Sequence, residues 1–486
     1  MTSPAPDSAG TGTPDAGTPQ VAGTPSGTGS PSARSSQIAI RRVLVANRGE
    51  IAVRIVRACH DLGIEAIVAF SEADRDSLAV RLADRAVCIG PPQSAGSYLN
   101  RDAILAAATA LGCDAVHPGY GFLAENADFS AACAAEGITF IGPRPDAISA
   151  MGNKVEARRI ALELGVPCIP GSPQPVGPDE AVQVADEVGY PVMLKAAAGG
   201  GGRGMRLARD AAELVEILGS ASAEAAAAFG NGAMYVERYV GRARHIEVQV
   251  VFDTHGNGIS LGDRDCTIQR RYQKLIEEAP SALPPATRHA MSAEALKLCR
   301  HVGYTGVGTV EFLYDQDRRE FYFIEMNTRL QVEHPVTELT TGLDLVELQL
   351  RVAAGERLPL TQEQVPVLGH AIEFRINAED PAQGFQPSAG TLARWSPPSG
   401  PGVRVDTHCY QGYRVPPYYD SLLAKVIVWG ADRASAYARA RRALAEMDVE
   451  GMATSLPFHR WILDNDDFIA GQTSTGWTEQ YWGKGS

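Results

Sequence analysis

Residues 323–335 read Phe323-Ile-Glu-Met-Asn-Thr-Arg-Leu-Gln-Val-Glu-His-Pro335, and polar residues alternate with mostly apolar ones along them. Successive side chains of a β-strand point to opposite faces, so an extended stretch would gather its polar residues on one face. Carboxylate and amide oxygens suit Mg²⁺, an arginine suits an anion, and a further carboxylate can act as a base. The alternation therefore predicts a single strand face that combines these functions, formed by Glu325, Asn327, Arg329, Gln331 and Glu333.

A second acid, Glu311, lies in an apolar run shortly before this stretch. Val310–Tyr314 and Phe321–Met326 each read as a strand, and the polar connector 315–320 reads as a hairpin turn. Pairing of the two strands can place Glu311 beside Glu325, where like charges repel unless a cation neutralises them. Mg²⁺ bridging ATP phosphates fits this pair, with Asn327 as a further oxygen ligand. The alternative interpretation is two exposed strand glutamates.

A glycine-rich loop reads Lys195-Ala-Ala-Ala-Gly-Gly-Gly-Gly-Arg-Gly-Met205. Consecutive glycines let backbone N–H groups approach and wrap an anion such as a phosphate. No Gly-Lys-Ser/Thr follows, and the chain continues into a strand rather than a helix, which excludes a Walker A loop. We interpret the loop as a flap over ATP with Lys195 at its base; a plain flexible hairpin is the alternative.

The composition bounds the class of protein. The 486 residues are enough for roughly three domains of about 150 residues. A net charge of −13 disfavours a general nucleic-acid binder, and no apolar run approaches the roughly 20 residues that span a bilayer. The eight cysteines are scattered without a C-x-x-C pair, which argues against a zinc site and a disulfide framework. A cytoplasmic location is the simplest prediction.

The chain divides into a tail and three regions of different pattern. Residues 1–38 are almost wholly Ser, Thr, Gly, Pro and Ala, and we predict that they are disordered. Strands and helices alternate over 39–150, which predicts a parallel α/β domain; a dinucleotide site is disfavoured because no G-x-G-x-x-G follows the first strand. Residues 151–368 combine helices with many strands, and 369–486 read as a third, mixed domain. The predicted fold class is α/β, with α+β parts.

The basic run Asp263-Arg-Asp-Cys-Thr-Ile-Gln-Arg-Arg-Tyr-Gln-Lys-Leu-Ile-Glu-Glu278 would, taken alone, favour a solvated charged loop. Its order, however, also matches a motif of biotin carboxylase, the ATP-grasp subunit or domain of biotin-dependent carboxylases. Over residues 39–483 the chain closely resembles this family. The motifs that carry the resemblance are Ala46–Ala52, His117–Asn126, the glycine-rich loop, Gln269–Lys274, Glu325–Pro335, Arg375–Asp380 and Tyr418–Ser421.

The resemblance implies a fold and a reaction. The fold would be a Rossmann-like pre-ATP-grasp domain over 39–150, an ATP-grasp domain over 151–368 with a mobile lid near 167–239, and a biotin carboxylase C-terminal domain over 369–486. The reaction would use ATP with Mg²⁺ or Mn²⁺ to activate bicarbonate as carboxyphosphate, giving ADP and phosphate. The resulting CO₂ would carboxylate N1 of biotin on a carrier protein, as the first half-reaction of an acetyl-CoA or other acyl-CoA carboxylase in fatty acid biosynthesis.

The family's motifs also imply roles for residues of this chain. The nucleotide would be bound by Lys154, Lys195, Gly201, Gly202, Glu237, Arg238, Val240, His245, Gln269 and Tyr272. The metal ligands would be Glu311, Glu325 and Asn327. Bicarbonate would be held by Lys274, Arg329, Gln331 and Val332, with Glu333 as the base. Arg375 would stabilise the biotin enolate, a charge that develops during the reaction.

The chain departs from the family pattern at two positions. Tyr272 stands where many members have histidine, from which we expect altered ATP affinity rather than lost activity, and Ala198 replaces a glycine of the flap. His117 and His334 each precede a proline, and we interpret both as structural histidines rather than ligands. Whether Tyr120, Phe122 and Glu125 line a pocket or simply pack is left open by the sequence.

Two other functions compete with an active biotin carboxylase. One is an ATP-grasp ligase that transfers an acyl phosphate to an amine, which Arg375 and the Lys274 cluster disfavour. The other is a catalytically inactive assembly subunit, which the complete set of acid, base and metal residues disfavours. The sequence contains no Ala-Met-Lys-Met biotinylation site. We therefore predict that the biotin carboxyl carrier protein and the carboxyltransferase, which chooses the acyl acceptor, are separate chains. The resemblance to biotin carboxylase also implies a homodimer.

Overall fold

The computed structural model describes residues 40–196, 205–230 and 232–482. The predicted disordered tail therefore lies outside the described residues, as do Gly201, Gly202 and Ala198 of the glycine-rich loop.

The first region folds as the alternation of strands and helices predicts. Five strands pair in parallel in the order β3-β2-β1-β4-β5, and apolar strand residues such as Leu44 and Ile67 are fully buried. Helix α1 ends before Gly63, whose φ of +70° suits a residue without a side chain. The elements are β1 Arg42–Val45, α1 Gly49–Asp61, β2 Glu65–Ser71, α2 Leu78–Leu82, β3 Arg85–Gly90, α3 Arg101–Ala110, β4 Ala115–His117, α4 Ala127–Ala135, β5 Thr139–Phe140 and α5 Pro145–Gly152.

A smaller antiparallel sheet of three strands, in the order β7-β6-β8, follows. Lys195 and Met205 are register partners, so the glycine-rich loop connects two adjacent strands, as predicted. Two helices pack on this sheet and bury Val192 and Leu194. The elements are α6 Lys154–Glu163, α7 Pro178–Val188, β6 Val192–Ala196, β7 Met205–Ala208, α8 Ala211–Phe229 and β8 Met234–Arg238.

The largest sheet has eight antiparallel strands in the order β13-β12-β9-β10-β11-β14-β21-β19. Its strands are β9 Ala243–Phe252, β10 Gly258–Arg270, β11 Gln273–Ala279, β12 Gly306–Asp315, β13 Glu320–Asn327, β14 His370–Asn377, β19 Val403–Thr407 and β21 Leu422–Gly430. Because β11 pairs directly with β14, the sheet runs without interruption across the domain boundary predicted at 368/369.

Helices cover both faces of this sheet. On one face, α5, α6 and α9 cover Val248 and Phe312. On the same face, α12 and α13 cover Phe374 and Val426. On the opposite face, Val336 of α10 packs against Ala371 and Ile427. None of the helices in the described residues is both long enough and apolar enough to cross a bilayer. The remaining elements are α9 Pro285–His301, α10 His334–Thr341, α11 Leu345–Ala353, β15 Glu379–Asp380, β16 Gln386–Pro387, β17 Gly390–Thr391, β18 Arg394–Ser396, β20 Arg414–Val415, α12 Arg433–Glu446, β22 Asp448–Glu450, α13 Leu456–Ile462, α14 Asp466–Ile469 and α15 Trp477–Tyr481.

The prediction of one strand face over 325–333 is wrong. Strand β13 ends at Asn327, residues 328–333 form a turn, and α10 begins at His334. The backbone N–H of Thr328 donates to the Glu125 carboxylate instead of to a neighbouring strand. Pro335, at the start of α10, fixes a helical φ at the other end of the turn.

The interpretation of 263–278 as a solvated charged loop, favoured for the run taken alone, is also wrong. The run forms most of the β10–β11 hairpin in the middle of the large sheet. Arg264 is fully buried, and its Nε lies 2.5 Å from Glu247 Oε1. Buried charges are stable only when paired, and Arg264 and Glu247 pair with each other.

Lys425 on β21 joins three parts of the chain. Its fully buried ammonium lies 3.0 Å from Glu50 Oε1 on α1 and donates to the Val332 carbonyl oxygen at 2.8 Å. Tyr120 also donates its hydroxyl to Glu50. Helix α1, the turn before α10 and strand β21 of the large sheet thus meet at one cation.

Candidate active site

A cleft of about 1560 Å³ is lined by the large sheet, the β6–β8 sheet and the loop before β21. This volume exceeds the roughly 300–1,000 Å³ of a typical small-ligand site, so it has room for more than one substrate. The predicted site residues that the structure describes line this cleft, with the exception of Glu333. Glu333 is fully buried and joins the site through the side chains that contact it.

A row of charged side chains crosses four neighbouring strands beneath the cleft. Glu325, Glu311, Glu247 and Arg264 are successive register partners on β13, β12, β9 and β10. Directly opposite residues have Cβ atoms about 5 Å apart, so the three acids are close neighbours. The predicted side-by-side placement of Glu311 and Glu325 is confirmed.

The candidate metal ligands form a set of hard oxygen donors. Asn327 follows Glu325 on the same strand and its side-chain amide donates to Glu311 Oε1 at 2.9 Å. Burial raises the pKa of Glu311, but Lys274 and His245 outweigh it and lower the pKa below its usual range. Two carboxylates and an amide oxygen suit Mg²⁺ or Mn²⁺, so the residues present fit such an ion.

Lys274 lies among three carboxylates. Its Nζ is 2.5 Å from Glu247 Oε2, 2.6 Å from Glu333 Oε1 and 2.9 Å from Glu311 Oε1. Burial lowers the pKa of Lys274, but the three acids raise it well above its usual value. Lys274 is therefore a fixed cation that connects the candidate metal ligands to the candidate base.

Glu333 is held by two cations. Lys274 contacts one oxygen, and Arg375 Nη2 donates to the other at 2.9 Å. Burial raises the pKa of Glu333, but Lys274 and Arg375 hold it well below its usual range. The residue also precedes the first turn of α10, where the helix dipole favours an anion. Glu333 is thus ionised and able to accept a proton.

Arg329 is held by acceptors around the turn after β13. It donates to Glu125 Oε2 at 2.8 Å, to Asn327 Oδ1 at 3.0 Å and to Gln331 Oε1 at 3.1 Å. Gln331 in turn donates to Glu311 Oε1 at 3.1 Å. This chain of contacts fixes the guanidinium beside the candidate metal ligands.

The candidate nucleotide side of the cleft centres on Glu237. Lys195 Nζ lies 2.5 Å from Glu237 Oε2, and Arg158 Nη1 lies 3.0 Å from Glu237 Oε1. On the other wall, Lys154 Nζ lies 2.6 Å from Glu325 Oε2. Both lysines predicted to bind phosphates are therefore paired with carboxylates.

His245, predicted to meet the ribose, contacts a candidate metal ligand here. Its Nε2 lies 3.0 Å from Glu311 Oε2. Burial lowers the pKa of His245, but the neighbouring Glu311 carboxylate raises it above its usual value. The Glu311 carboxylate thus favours the protonated form of the His245 imidazole.

The remaining predicted nucleotide residues, Arg238, Val240, Gln269 and Tyr272, also line the cleft. Arg238 donates to the Tyr322 hydroxyl, and Gln269 is buried. Tyr272 is 57% exposed and, with Arg271, forms the two-residue turn between β10 and β11. Its φ of +65° lies in the left-handed region that a tyrosine rarely adopts.

Four residues of the site were missed by the sequence analysis or left open by it: Glu125, Arg158, Glu247 and Glu277. Arg158 follows Lys154 by four residues on α6, a spacing that places both on one helix face. Glu247 lies between His245 and Gln249 in an otherwise apolar strand, and this period-two polar pattern is a usable signal. Glu125 carried no local signal, because its partners Thr328 and Arg329 are about 200 residues away.

His117 and His334 are both fully buried and do not line the cleft. The Nδ1 atom of His117 accepts from the Gly119 N–H at 3.1 Å, and burial lowers its pKa to about 3. The Nδ1 atom of His334 lies 2.8 Å from the Gln331 carbonyl oxygen. Tyr120 and Phe122, left open by the sequence, do line the cleft.

Family models match most of the chain. Residues 39–148 match "Biotin carboxylase, N-terminal domain", residues 153–361 match "Carbamoyl-phosphate synthase L chain, ATP binding domain", and residues 373–480 match "Biotin carboxylase C-terminal domain".

Individual relatives match over nearly their full length. Biotin carboxylase 1 of Bacillus subtilis is 53% identical over 444 residues, which are 91% of this chain and 99% of the relative. A biotin carboxylase from Campylobacter jejuni, crystallised as a β,γ-ATP complex, superposes with a TM-score of 0.87 at 47% identity and covers 92% of this chain and 100% of its own. The biotin carboxylase domain dimer of 2-oxoglutarate carboxylase from Hydrogenobacter thermophilus, with MgADP, ADP and bicarbonate, superposes with a TM-score of 0.85 at 47% identity and covers 91% and 98%.

Proposed function

Because the chain belongs to the biotin carboxylase family, we propose that the cleft around Glu311 and Glu333 is where it carboxylates biotin. The chain is an ATP-dependent carbon–nitrogen ligase. It uses ATP and bicarbonate to carboxylate N1 of biotin through carboxyphosphate, giving ADP and phosphate. This is the first half-reaction of the biotin-dependent acyl-CoA carboxylases.

The nucleotide binds, in this proposal, against the wall that carries Lys154 and Lys195. Each lysine exchanges its carboxylate partner, Glu325 or Glu237, for ATP phosphate oxygens. Glu325, Glu311 and Asn327 are the residues that would hold Mg²⁺ or Mn²⁺. The ion supplies charge neutralisation at the phosphates during phosphoryl transfer.

Bicarbonate is placed next to Glu333 by Lys274, Arg329, Gln331 and Val332. Lys274 and Arg329 are largely buried cations that are paired with carboxylates. A bound bicarbonate would be a further negative charge with which these cations can pair. As Lys274 turns toward bicarbonate, Glu333 loses part of the stabilisation that lowers its pKa and becomes a stronger base. Glu333 then takes the proton from bicarbonate.

Arg375 stabilises the enolate that forms when biotin loses its N1 proton. Its guanidinium donates to Glu277 and to Glu333, so it is fixed before the substrate arrives. Fixed donors aimed at a developing charge need no reorganisation during the reaction, and this is where they contribute most.

The observation that carries the proposal is that Lys274 and Arg375 each donate a hydrogen bond to the Glu333 carboxylate, while Lys274 also contacts Glu311, a candidate metal ligand. The test is ADP release by the purified chain with MgATP. We expect it to require bicarbonate and to be stimulated by free biotin. Turnover that is independent of bicarbonate, or unaffected by biotin, would contradict the proposal in favour of another ATP-grasp ligase.

The proposal extends to partners. We propose that the chain acts as a homodimer on a biotin carboxyl carrier protein and with a carboxyltransferase that are separate chains, in the cytoplasm. The dimer of the Hydrogenobacter thermophilus domain supports the first point, and eight unpaired cysteines are compatible with a reducing compartment. Light scattering tests the dimer, and a streptavidin blot showing bound biotin on this chain would contradict a separate carrier.

A further inference from the structure

Two buried glutamates, Glu277 on β11 and Glu373 on β14, are direct register partners in the large sheet. Both side chains are completely shielded from solvent. Cβ atoms of directly opposite residues lie about 5 Å apart, so two carboxylates at these positions would repel strongly in a medium of low dielectric constant. The reaction proposed above uses neither of them directly.

The hydrogen bonds around this pair are incomplete. Arg375 donates through Nε to Glu277 Oε1 at 2.6 Å. Among the described residues, however, no donor reaches Glu277 Oε2 or either oxygen of Glu373. A buried carboxylate without donors is costly, whereas a protonated carboxyl group brings a donor of its own.

The cations near the pair are already engaged by other acids. Among the charged groups, Lys425 has the largest effect on the pKa of Glu373, which it lowers, and Arg375 lowers it as well. Glu277 and Glu333 raise this pKa. Lys425 itself lies 3.0 Å from Glu50 Oε1, and Arg375 also donates to Glu333. The helix α10 adds Glu333 at its start on this side of the sheet, while α12 and α13 pack on the other side through apolar residues.

The environment disfavours ionisation of both acids at once. Burial raises the pKa of Glu373 well above its usual range although Lys425 lowers it, and Glu277 raises it further. Burial also raises the pKa of Glu277, to about 7, against the effect of Arg375.

We propose that Glu277 and Glu373 share one proton, that Glu373 carries it, and that the pair is a positioning device for Arg375. With Glu373 neutral, Glu277 is the one carboxylate of the pair that is charged and that binds the Arg375 guanidinium. Arg375 can then divide its donors between Glu277 and Glu333. A second negative charge on Glu373 would draw the guanidinium away from Glu333 and from the enolate that it is proposed to stabilise.

Infrared spectroscopy of the full chain tests the proton. A protonated carboxyl group has a carbonyl stretching band that is distinct from the carboxylate bands and shifts in heavy water. In the wild-type protein we expect such a band to persist near neutral pH, far above the ordinary glutamate pKa of about 4.3, and to lose intensity in Glu373→Gln. The absence of this band from the wild type, or equal intensity in wild type and variant, would overturn the proposal.

A matched control lies next to Glu277 on the same strand. Glu278 is ionised, because Arg433 and His370 outweigh the effect of burial and lower its pKa to about 2. Glu278→Gln removes the same kind of group and should leave the infrared band unchanged. Loss of the band in this control would assign it elsewhere and overturn the proposal.

Stability as a function of pH gives a second readout. An acid whose pKa is raised in the folded state binds more protons there than in the unfolded chain, so its contribution to stability falls as pH rises above about 4.3. The urea midpoint of Glu373→Gln, relative to wild type, should therefore increase between about pH 5 and about pH 8. If Glu373 were an ionised partner of Lys425, the substitution would lower the midpoint throughout this range, and the proposal would fail.

The positioning role rests on the proposed function and has a readout of its own. We expect Glu277→Gln to raise the KM for free biotin about tenfold. The control Glu278→Gln should leave this KM unchanged. The decline of kcat/KM for biotin with rising pH should be shallower in Glu373→Gln than in wild type. Identical pH profiles would overturn the positioning role, whereas failure of the proposed function would show instead as wild-type ATP turnover without bicarbonate dependence.

Discussion

Lys154 Nζ lies 2.6 Å from Glu325 Oε2, so a lysine proposed to bind phosphate neutralises a proposed metal ligand. A divalent cation that arrives alone must compete with this ammonium for the carboxylate. A cation that arrives with ATP does not, because the phosphates offer the lysine a new partner.

We therefore expect Mn²⁺ to bind the wild-type protein weakly without nucleotide and more tightly with it. Lys154→Met should tighten the binding of Mn²⁺ alone by about tenfold, since it removes a competing charge near the site. Electron paramagnetic resonance of free Mn²⁺ measures this without any need for turnover. Lys297→Met, which breaks a surface pair with Glu294, is the control and should change nothing. Unchanged or weaker binding in Lys154→Met would contradict the expectation.

Glu333→Gln should abolish most bicarbonate-dependent ADP release. The amide cannot accept the proton, and loss of a general base costs roughly 10²–10⁴-fold in rate. Steady-state kinetics with a coupled ADP assay measures the loss. Glu347→Gln, a change at a partly exposed glutamate of α11 that lies outside the cleft, controls for the substitution itself. A variant that retains more than about a tenth of the wild-type kcat would exclude Glu333 as the base.

Arg375→Lys should impair the carboxylation of biotin much more than the bicarbonate-dependent release of ADP. Lysine keeps the charge but loses the planar fork that contacts Glu277 and Glu333 at once. We expect stimulation by biotin to fall by about 10²-fold, as for other fixed donors to a developing anion, and the biotin-independent ADP release to change much less. Equal losses in both would argue that Arg375 acts on bicarbonate instead.

Acid should destabilise the protein partly through Glu278. Its carboxylate pairs with Arg433 at 2.7 Å and with His370 at 2.9 Å, and its pKa is lowered to about 2. A lowered pKa in the folded state means that the stabilisation is present above about pH 4.3 and is lost as pH falls toward 2. This amounts to about 3 kcal/mol for an acid shifted this far.

Glu278→Gln should accordingly lose about 3 kcal/mol of unfolding free energy at neutral pH and show a flatter decline between about pH 4.3 and about pH 2. Urea denaturation monitored by circular dichroism at several pH values measures both effects. Parallel pH curves for wild type and variant would show that this ion pair contributes nothing.

Tyr272→His should change the affinity for ATP without abolishing activity. Tyrosine can form a hydrogen bond to the nucleotide but cannot become a cation, whereas histidine can. We expect the KM for ATP to shift by about two- to tenfold and kcat to stay within about twofold. Because both side chains must adopt the same left-handed backbone conformation in the turn, thermal stability should be unchanged. A kcat reduced as strongly as in Glu333→Gln would give Tyr272 a catalytic role.

The order of strands and helices could be predicted from hydrophobic periodicity, and so could the hairpin that brings Glu311 opposite Glu325. Both depend on interactions between residues close in sequence. The turn over 328–333 could not be predicted, because its period-two pattern is also that of a strand. What ends the strand is a bond between the Thr328 N–H and Glu125, about 200 residues earlier.

The same limit applies to the site. Family motifs indicated Lys274 and Glu333, but periodicity could not show that the charged run 263–278 is buried in a sheet. The turn has a physical consequence that the strand would not have had. A continuous strand would separate Glu325 from Glu333 by about 26 Å, whereas Glu311, the partner of Glu325, and Glu333 lie within 2.9 Å and 2.6 Å of the same Lys274 nitrogen.

The position of Lys425 limits how the chain can be divided. Its ammonium neutralises Glu50 from the first region and binds Val332 from the second, while its own strand belongs to the third. A fragment that stops before β14 would leave Glu50 without this counter-ion in a buried site and would also expose the edge of β11. The three regions matched by separate family models are thus joined by a buried ion pair and a continuous sheet, and we expect a fragment that ends before β14 to be less stable than the full chain.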